Sequence, residues 1–166
     1  MIYIAHRGLF QGPDKEKENH PDQIRKALKK RYDCEIDVWW KSDGWWLGHD
    51  EPQYKVDSSF IGQQGLWLHC KNLDALYELV DAPFKYTYFW HQEDDFTLTS
   101  SNHIWTYPGK HLTNKSIAVM PERDNEYWEY VKNLDIIGVC TDYVEKFIYE
   151  VGTMPVRSTE KLRKSV

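Results

Sequence analysis

Short apolar runs rich in β-branched and aromatic residues recur along the chain, each bounded by polar or turn residues. They are IYIAH (2 to 6), CEIDVWW (34 to 40), LWLHC (66 to 70), YTYFW (86 to 90), HIWTY (103 to 107), SIAVM (116 to 120) and IGVCTDY (137 to 143). Runs of this length and composition predict seven strands. Between several of them apolar residues fall at helical spacing, in DQIRKALKKRY, LDALYELVDA, NEYWEYVKNL and VEKFIYEV. Asp22, Asp74 and Asp124 stand near three helix starts, where a short side chain can accept from a free amide.

Strand followed by helix, repeated, predicts an α/β fold with a mainly parallel sheet. A complete eight-stranded barrel of this kind typically takes ~250 residues, and this chain has 166. The expected architecture is therefore a compact (β/α)8 TIM-type barrel, incomplete through short or missing helices and a lost strand. An open doubly wound sheet is the alternative, although the glycines of a dinucleotide loop are absent. The stretch 90–116 breaks the rhythm, with turn residues where a helix is due. Without an internal repeat or low-complexity linker, residues 1–155 read as one domain, followed by a basic tail at 156–166.

Composition narrows the partners. With 41% hydrophobic and 28% charged residues the chain is ordinary for a globular protein, and a net charge of -5 gives no general attraction to nucleic acid. The tail RSTEKLRKSV is locally basic, and its simplest reading is a solvated terminus. Cys34, Cys70 and Cys140 are odd in number and widely spaced, which predicts neither a disulfide framework nor a metal clip. No apolar run is long enough to span a bilayer, and MIYIAHRG enters a strand pattern directly, so a cytoplasmic location is expected. Oligomeric state leaves no signature. Trp39, Trp40, Trp45, Trp46, Trp67 and Trp90 are expected chiefly to fill the interior, some of them to line a pocket.

The candidate chemistry begins in EIDV. Side chains at i and i+2 of a strand share a face, so Glu35 and Asp37 project together. Neighbouring carboxylates repel unless a cation or proton lies between them, which points to a hard divalent metal; a solvated strand surface is the alternative. The Asp43-Gly44 turn then starts a return strand, WWLGHD, that brings His49 and Asp50 back toward the pair. The first strand ends in His6-Arg7-Gly8: an imidazole, a cation with bidentate reach to phosphate, and a glycine for a sharp turn.

IAHRG, Glu18-Asn19 ahead of a helix, EIDV, SDG and GHD follow one another in the order found in the glycerophosphodiester phosphodiesterases, part of the phospholipase-C-like phosphodiesterase barrel superfamily. The chain resembles a short, divergent member of that family. The resemblance is dense over residues 2 to 50 and looser in LHCKN and GVCTDY. It implies a metal-dependent phosphodiesterase of lipid metabolism, acting on small glycerol-linked diesters. It also implies Glu35 and Asp37 as metal carboxylates, His6 and His49 as the acid/base pair, and Arg7 and Lys71 as phosphate contacts. Glu18 and Asn19 would order the first loop or touch the metal's waters; a simple helix-entry role is the alternative.

One departure matters. Two residues before Lys71, where the family has glutamate, this chain has His69. Strand parity keeps His69 on the metal face, and imidazole in place of a carboxylate shifts preference from Mg2+ or Ca2+ toward Mn2+, Fe2+ or Zn2+. Glu51 is the alternative third ligand. Loss of the carboxylate also opens a different class, a phosphate-binding or regulatory module without turnover. His91 and Tyr107 are expected at the rim, Asp94 and Asp95 either beside them or in a solvated turn, Trp105 more in the core, and His20, His103 and His111 at the surface.

Overall fold

The computed structural model describes residues 1–81 and 86–152. The basic tail at 156–166 lies outside the described residues, as does the last residue of LDALYELVDA. All seven apolar runs form strands. They are β1 (Ile2–His6), β2 (Asp33–Lys41), β5 (Leu66–Cys70), β6 (Thr87–Phe89), β8 (Ile104–Thr106), β9 (Ser116–Val119) and β10 (Gly138–Thr141). Each of the seven pairs in parallel, in the order β6-β5-β2-β1-β10-β9-β8. Three further strands are antiparallel attachments. β3 (Gly44–Leu47) and β4 (Tyr54–Val56) form a meander on the far end of β2, and β7 (Phe96–Leu98) pairs with β8.

The helices are α1 (Pro21–Lys29), α2 (Ser58–Ile61), α3 (Leu73–Val80), α4 (Asn125–Lys132) and α5 (Val144–Val151). Asp124 caps α4 as its position suggests, accepting from the Tyr127 amide. At α1 and α3 the caps are instead His20 and Asn72, and Asp22 and Asp74 sit in the first turns, where they still favour the positive end of the helix.

The (β/α)8 expectation is corrected. The strands form one curled, mixed ten-stranded sheet, eight of them on a continuous path with β5 and β6 branching from β2, and strand and helix do not alternate around a closed ring. The physical reason lies in 90–116, which is too rich in turn residues for a covering helix and folds as the β7–β8 hairpin and loops. Among the described residues no ladder joins β6 to β8. Side chains span that seam: the Phe89 and Trp105 rings lie 4.6 Å apart, and Ser100 exchanges backbone and hydroxyl hydrogen bonds with Tyr88.

Two cores follow from strand parity. Tyr3, Ala5, Cys34, Ile36, Val38, Leu68 and Val139 belong to the cluster that includes Ile24, Ala27, Leu79, Trp128 and Phe147 of the helices. The alternate residues, Ile2, Ile4, Trp67, Phe89, Trp105, Ile117 and Cys140, form a second, smaller cluster. Gly138 is required here, because a Cβ would come within 2.8 Å of Ile2 O and Ile117 Cδ1. No helix among the described residues is long and apolar enough to cross a membrane.

Candidate active site

Beyond the small inner cluster, at the carboxyl ends of the parallel strands, the same parity turns polar. Register sets His6 of β1 beside Glu35 of β2, and Asp37 of β2 beside His69 of β5. A cleft of about 300 Å³ opens over them, lined by His6, Arg7, Glu35, Asp37, His49, His69, Lys71, His91 and Tyr107 among others. All seven residues proposed for catalysis, phosphate or metal thus meet in one place.

Glu35, Asp37 and His69 each offer a ligand atom within 4.8 Å of the others. Glu35 and Asp37 are almost fully buried. His69 Nδ1 lies 3.0 Å from Asp37 Oδ1 and 3.7 Å from Glu35 Oε1, while its Nε2 donates to the His91 carbonyl at 2.8 Å. That carbonyl fixes the ring, so a neutral His69 presents its Nδ1 lone pair to two carboxylates. Asp37 Oδ1 is itself buried without an aligned hydrogen-bond donor. Lone pair and carboxylates are compatible only with a positive centre between them, and a divalent cation fits this mixed oxygen–nitrogen donor set.

In the metal-free protein a proton meets that need. Burial alone would depress the His69 imidazole, but Asp37 and Glu35 outweigh it and push the pKa up to about 9. Burial likewise opposes the Asp37 charge, yet His69, Arg7 and Lys71 hold its carboxyl well below the usual range.

Asp37 is positioned by Asn19, which is completely buried. Asn19 Nδ2 donates to Asp37 Oδ2 at 2.8 Å, and its Oδ1 accepts from the Asp37 amide at 2.9 Å. Asn19 reaches this pose at φ 56, and Arg7, whose carbonyl accepts from the Asn19 amide, sits at φ 50. Two non-glycine residues in the left-handed region mark a loop whose contacts over-determine its shape. Arg7 donates its amide to Glu35 Oε2 (3.1 Å) and its guanidinium to Glu18 (2.6 Å), and places Nε 3.3 Å from Asp37. Lys71 Nζ stands 3.5 Å from Asp37.

The two acid/base candidates are held differently. His6 Nδ1 donates to Asp142 Oδ1 at 2.9 Å. Burial works against its protonation, but Asp142 and the nearby Glu35 prevail and raise the pKa above the ordinary imidazole value. Asp142 follows β10 and is the site residue that the sequence left unassigned; its only advance signal is the Thr-Asp pair of GVCTDY. His49, partly exposed, bonds Asp50 at 2.6 Å and reaches the cleft from the loop after β3. Gly48 permits that loop at φ 147, where a Cβ would collide with the Glu51 carbonyl.

Several expected positions fall elsewhere. Glu51 is exposed and outside the donor cluster. Asp95 pairs with Lys110 at 2.9 Å, whereas Trp105 is both core and cleft wall. His20 serves as the α1 cap, and His103 contacts Ser101 and the Trp67 ring. The three cysteines are free and buried, with burial pushing the Cys70 thiol up to about 12, which makes it an inert core side chain.

Fold and site together define a mixed α/β protein whose parallel strand ends carry a carboxylate–imidazole cleft. No known family model matches the chain, and no curated protein matches it.

Proposed function

We propose that the cleft hydrolyses phosphodiesters with a divalent cation bound by Glu35, Asp37 and His69. The observation that carries this reading is the convergence of that donor set with two imidazoles and two phosphate-competent cations in one cleft. The order of HRG, EID and GHD, which resembles the glycerophosphodiester phosphodiesterases, supports a glycerol-linked diester as substrate. Free, buried cysteines support a reducing, cytoplasmic setting.

A bound cation would supply Lewis-acid stabilisation of the charge that builds on the phosphoryl oxygens. Arg7 and Lys71 bind those oxygens, Arg7 through the donors that Glu18 leaves free. One of His6 and His49 removes the proton from the attacking hydroxyl, and the other returns a proton to the departing alkoxide. Asp142 keeps the His6 ring turned so that Nε2 meets the substrate. Where the alcohol carries a hydroxyl next to the ester, that hydroxyl attacks, the other alcohol leaves, and water opens the resulting cyclic phosphate. Imidazole in the donor set favours Mn2+ or Zn2+ over Mg2+ or Ca2+.

The test is release of 4-nitrophenolate from bis(4-nitrophenyl) phosphate by metal-loaded protein. Turnover should vanish with chelator and fall at least ~100-fold in whichever of His6→Ala and His49→Ala removes the base, and less in the other because 4-nitrophenolate leaves without protonation, with circular dichroism unchanged. Absence of turnover with Mg2+, Ca2+, Mn2+ and Zn2+ alike would overturn it. A second reading, a phosphate-binding module without turnover, draws on one observation: Asp37 already faces Arg7, His69 and Lys71 within 3.5 Å. Metal content of the purified protein separates the two.

A further inference from the structure

The cleft has a second wall that the hydrolytic reading leaves without a role. It is formed by Val119 at the end of β9 and by Met120 and Arg123 after it, with Gln92, Tyr107 and Pro108 from the neighbouring loops. Among the described residues the only carboxylates lining the cleft are Glu35 and Asp37, in the metal donor set. Arg123 makes no ion pair among the described residues, in contrast to Arg7 with Glu18 and Lys71 beside Asp37.

Its backbone is fixed. Met120 turns through the left-handed region at φ 46 and donates its amide to Cys140 O at 2.7 Å. The 3-10 turn Pro121–Arg123 follows, and the half-buried Glu122 accepts from the Asp142 amide at 2.8 Å. The turn bearing Arg123 is therefore tied to the residue that orients His6. On the same wall His91 Nδ1 is buried without a hydrogen-bond partner among the described residues, and its ring lies 6.2 Å from that of Tyr107.

Arg123 is exposed, so water can solvate its charge, but its place on the cleft lining leaves it available to a ligand. A divalent cation offsets Glu35 and Asp37, Glu18 offsets Arg7, and the single negative charge of a diester offsets Lys71. Arg123 remains, beside neutral donors in Gln92 and Tyr107. We propose that Arg123 binds a second anionic group of the substrate, so that the preferred ligand is a phosphodiester whose alcohol arm carries a carboxylate or a further phosphate. This rests on the phosphodiester reading of the cleft, and it adds a preference that the reading by itself does not contain.

The experiment is equilibrium binding by calorimetry to the Mn2+-loaded full chain. Three probes share a 4-nitrobenzyl phosphinate, a diester analogue with P–C bonds in place of both ester linkages and so not hydrolysed, and differ in the second arm: ethyl, 2-carboxyethyl or 2-phosphonoethyl. A charged arm should bind about tenfold more tightly than ethyl, the worth of one charge-assisted contact, and the tighter of the two names the anion. That ratio should collapse toward one in Arg123→Gln and survive in Arg123→Lys. Equal binding of all three probes, no binding of any, or a ratio preserved in Arg123→Gln would overturn the proposal. Selective binding by a protein that releases no 4-nitrophenolate from bis(4-nitrophenyl) phosphate would instead sink hydrolysis and leave the anion subsite standing.

Discussion

Asn19 illustrates how one amide can set a metal-type site. Both polar ends of its side chain are spent on Asp37, one on the carboxylate and one on the amide. Asn19→Ala leaves a buried carboxylate oxygen and a buried amide unsatisfied, which costs about 2 kcal/mol in urea denaturation. It should also weaken Mn2+ or Zn2+ binding by roughly 10- to 100-fold in a metal titration. His69 gives a prediction in pH. Its folded pKa of about 9 exceeds the ordinary 6.5, so the charged ring stabilises the metal-free fold fully below pH 6.5, and that contribution fades as pH rises through 9. The loss amounts to roughly 3 kcal/mol. Denaturation in chelator between pH 6 and 10 measures it, and His69→Gln should flatten the profile. By the same linkage, metal uptake at pH 7 should release about one proton per ion, readable with a pH indicator.

At the residue scale the sequence was legible where chemistry and parity coincide. Glu35 and Asp37 could be placed on one face from spacing alone, and the Asp43-Gly44 turn foretold the return of His49. Asp142 was not legible as the partner of His6, because 136 positions separate the two and only the β1–β10 pairing brings them together. The cap positions of Asp22 and Asp74 were misread by a residue or two for a related reason. His20 and Asn72 are equally able acceptors, and Asn72 is chosen because it also bonds both backbone groups of Trp40.

Among the elements, the buried parallel strands announced themselves because both faces are covered and their sequences are continuously apolar. β4 and β7 did not. Lys55 is exposed at the centre of β4, and Phe96 and Leu98 face outward from β7, so neither strand shows a core pattern. The short α2 was likewise hidden, one turn started by the Asp57 cap. Close packing between β1, β9 and β10 supplies a prediction at this scale. Gly138→Ala must displace the Ile2 backbone or Ile117, and should lower stability by about 1 to 3 kcal/mol in thermal unfolding.

For the whole molecule, an incomplete (β/α)8 barrel with short or missing helices was expected and a curled, mixed sheet in which strand and helix do not alternate is found, because local patterns name strands but not their arrangement. The seam between β6 and β8 rests on ring contacts and a few loop hydrogen bonds, while β1, β2 and β10 are paired on both sides. Amide exchange should follow that contrast. Amides of β7 should exchange orders of magnitude faster than those of Ile4, Ile36 and Val139, by deuterium uptake mass spectrometry. Equal protection across the sheet would show that the seam opens only with global unfolding.

The adjacency of the first and last strands has a consequence in time. During vectorial synthesis Glu35, Asp37 and His69 are complete once about half the chain has emerged, whereas Asp142 arrives near the end of the described fold. β1 must wait for β10 with one edge unpaired, and long-range pairing of this kind is slow. The order of synthesis thus supplies the residues of the carboxylate–imidazole corner first and the partner that orients His6 last.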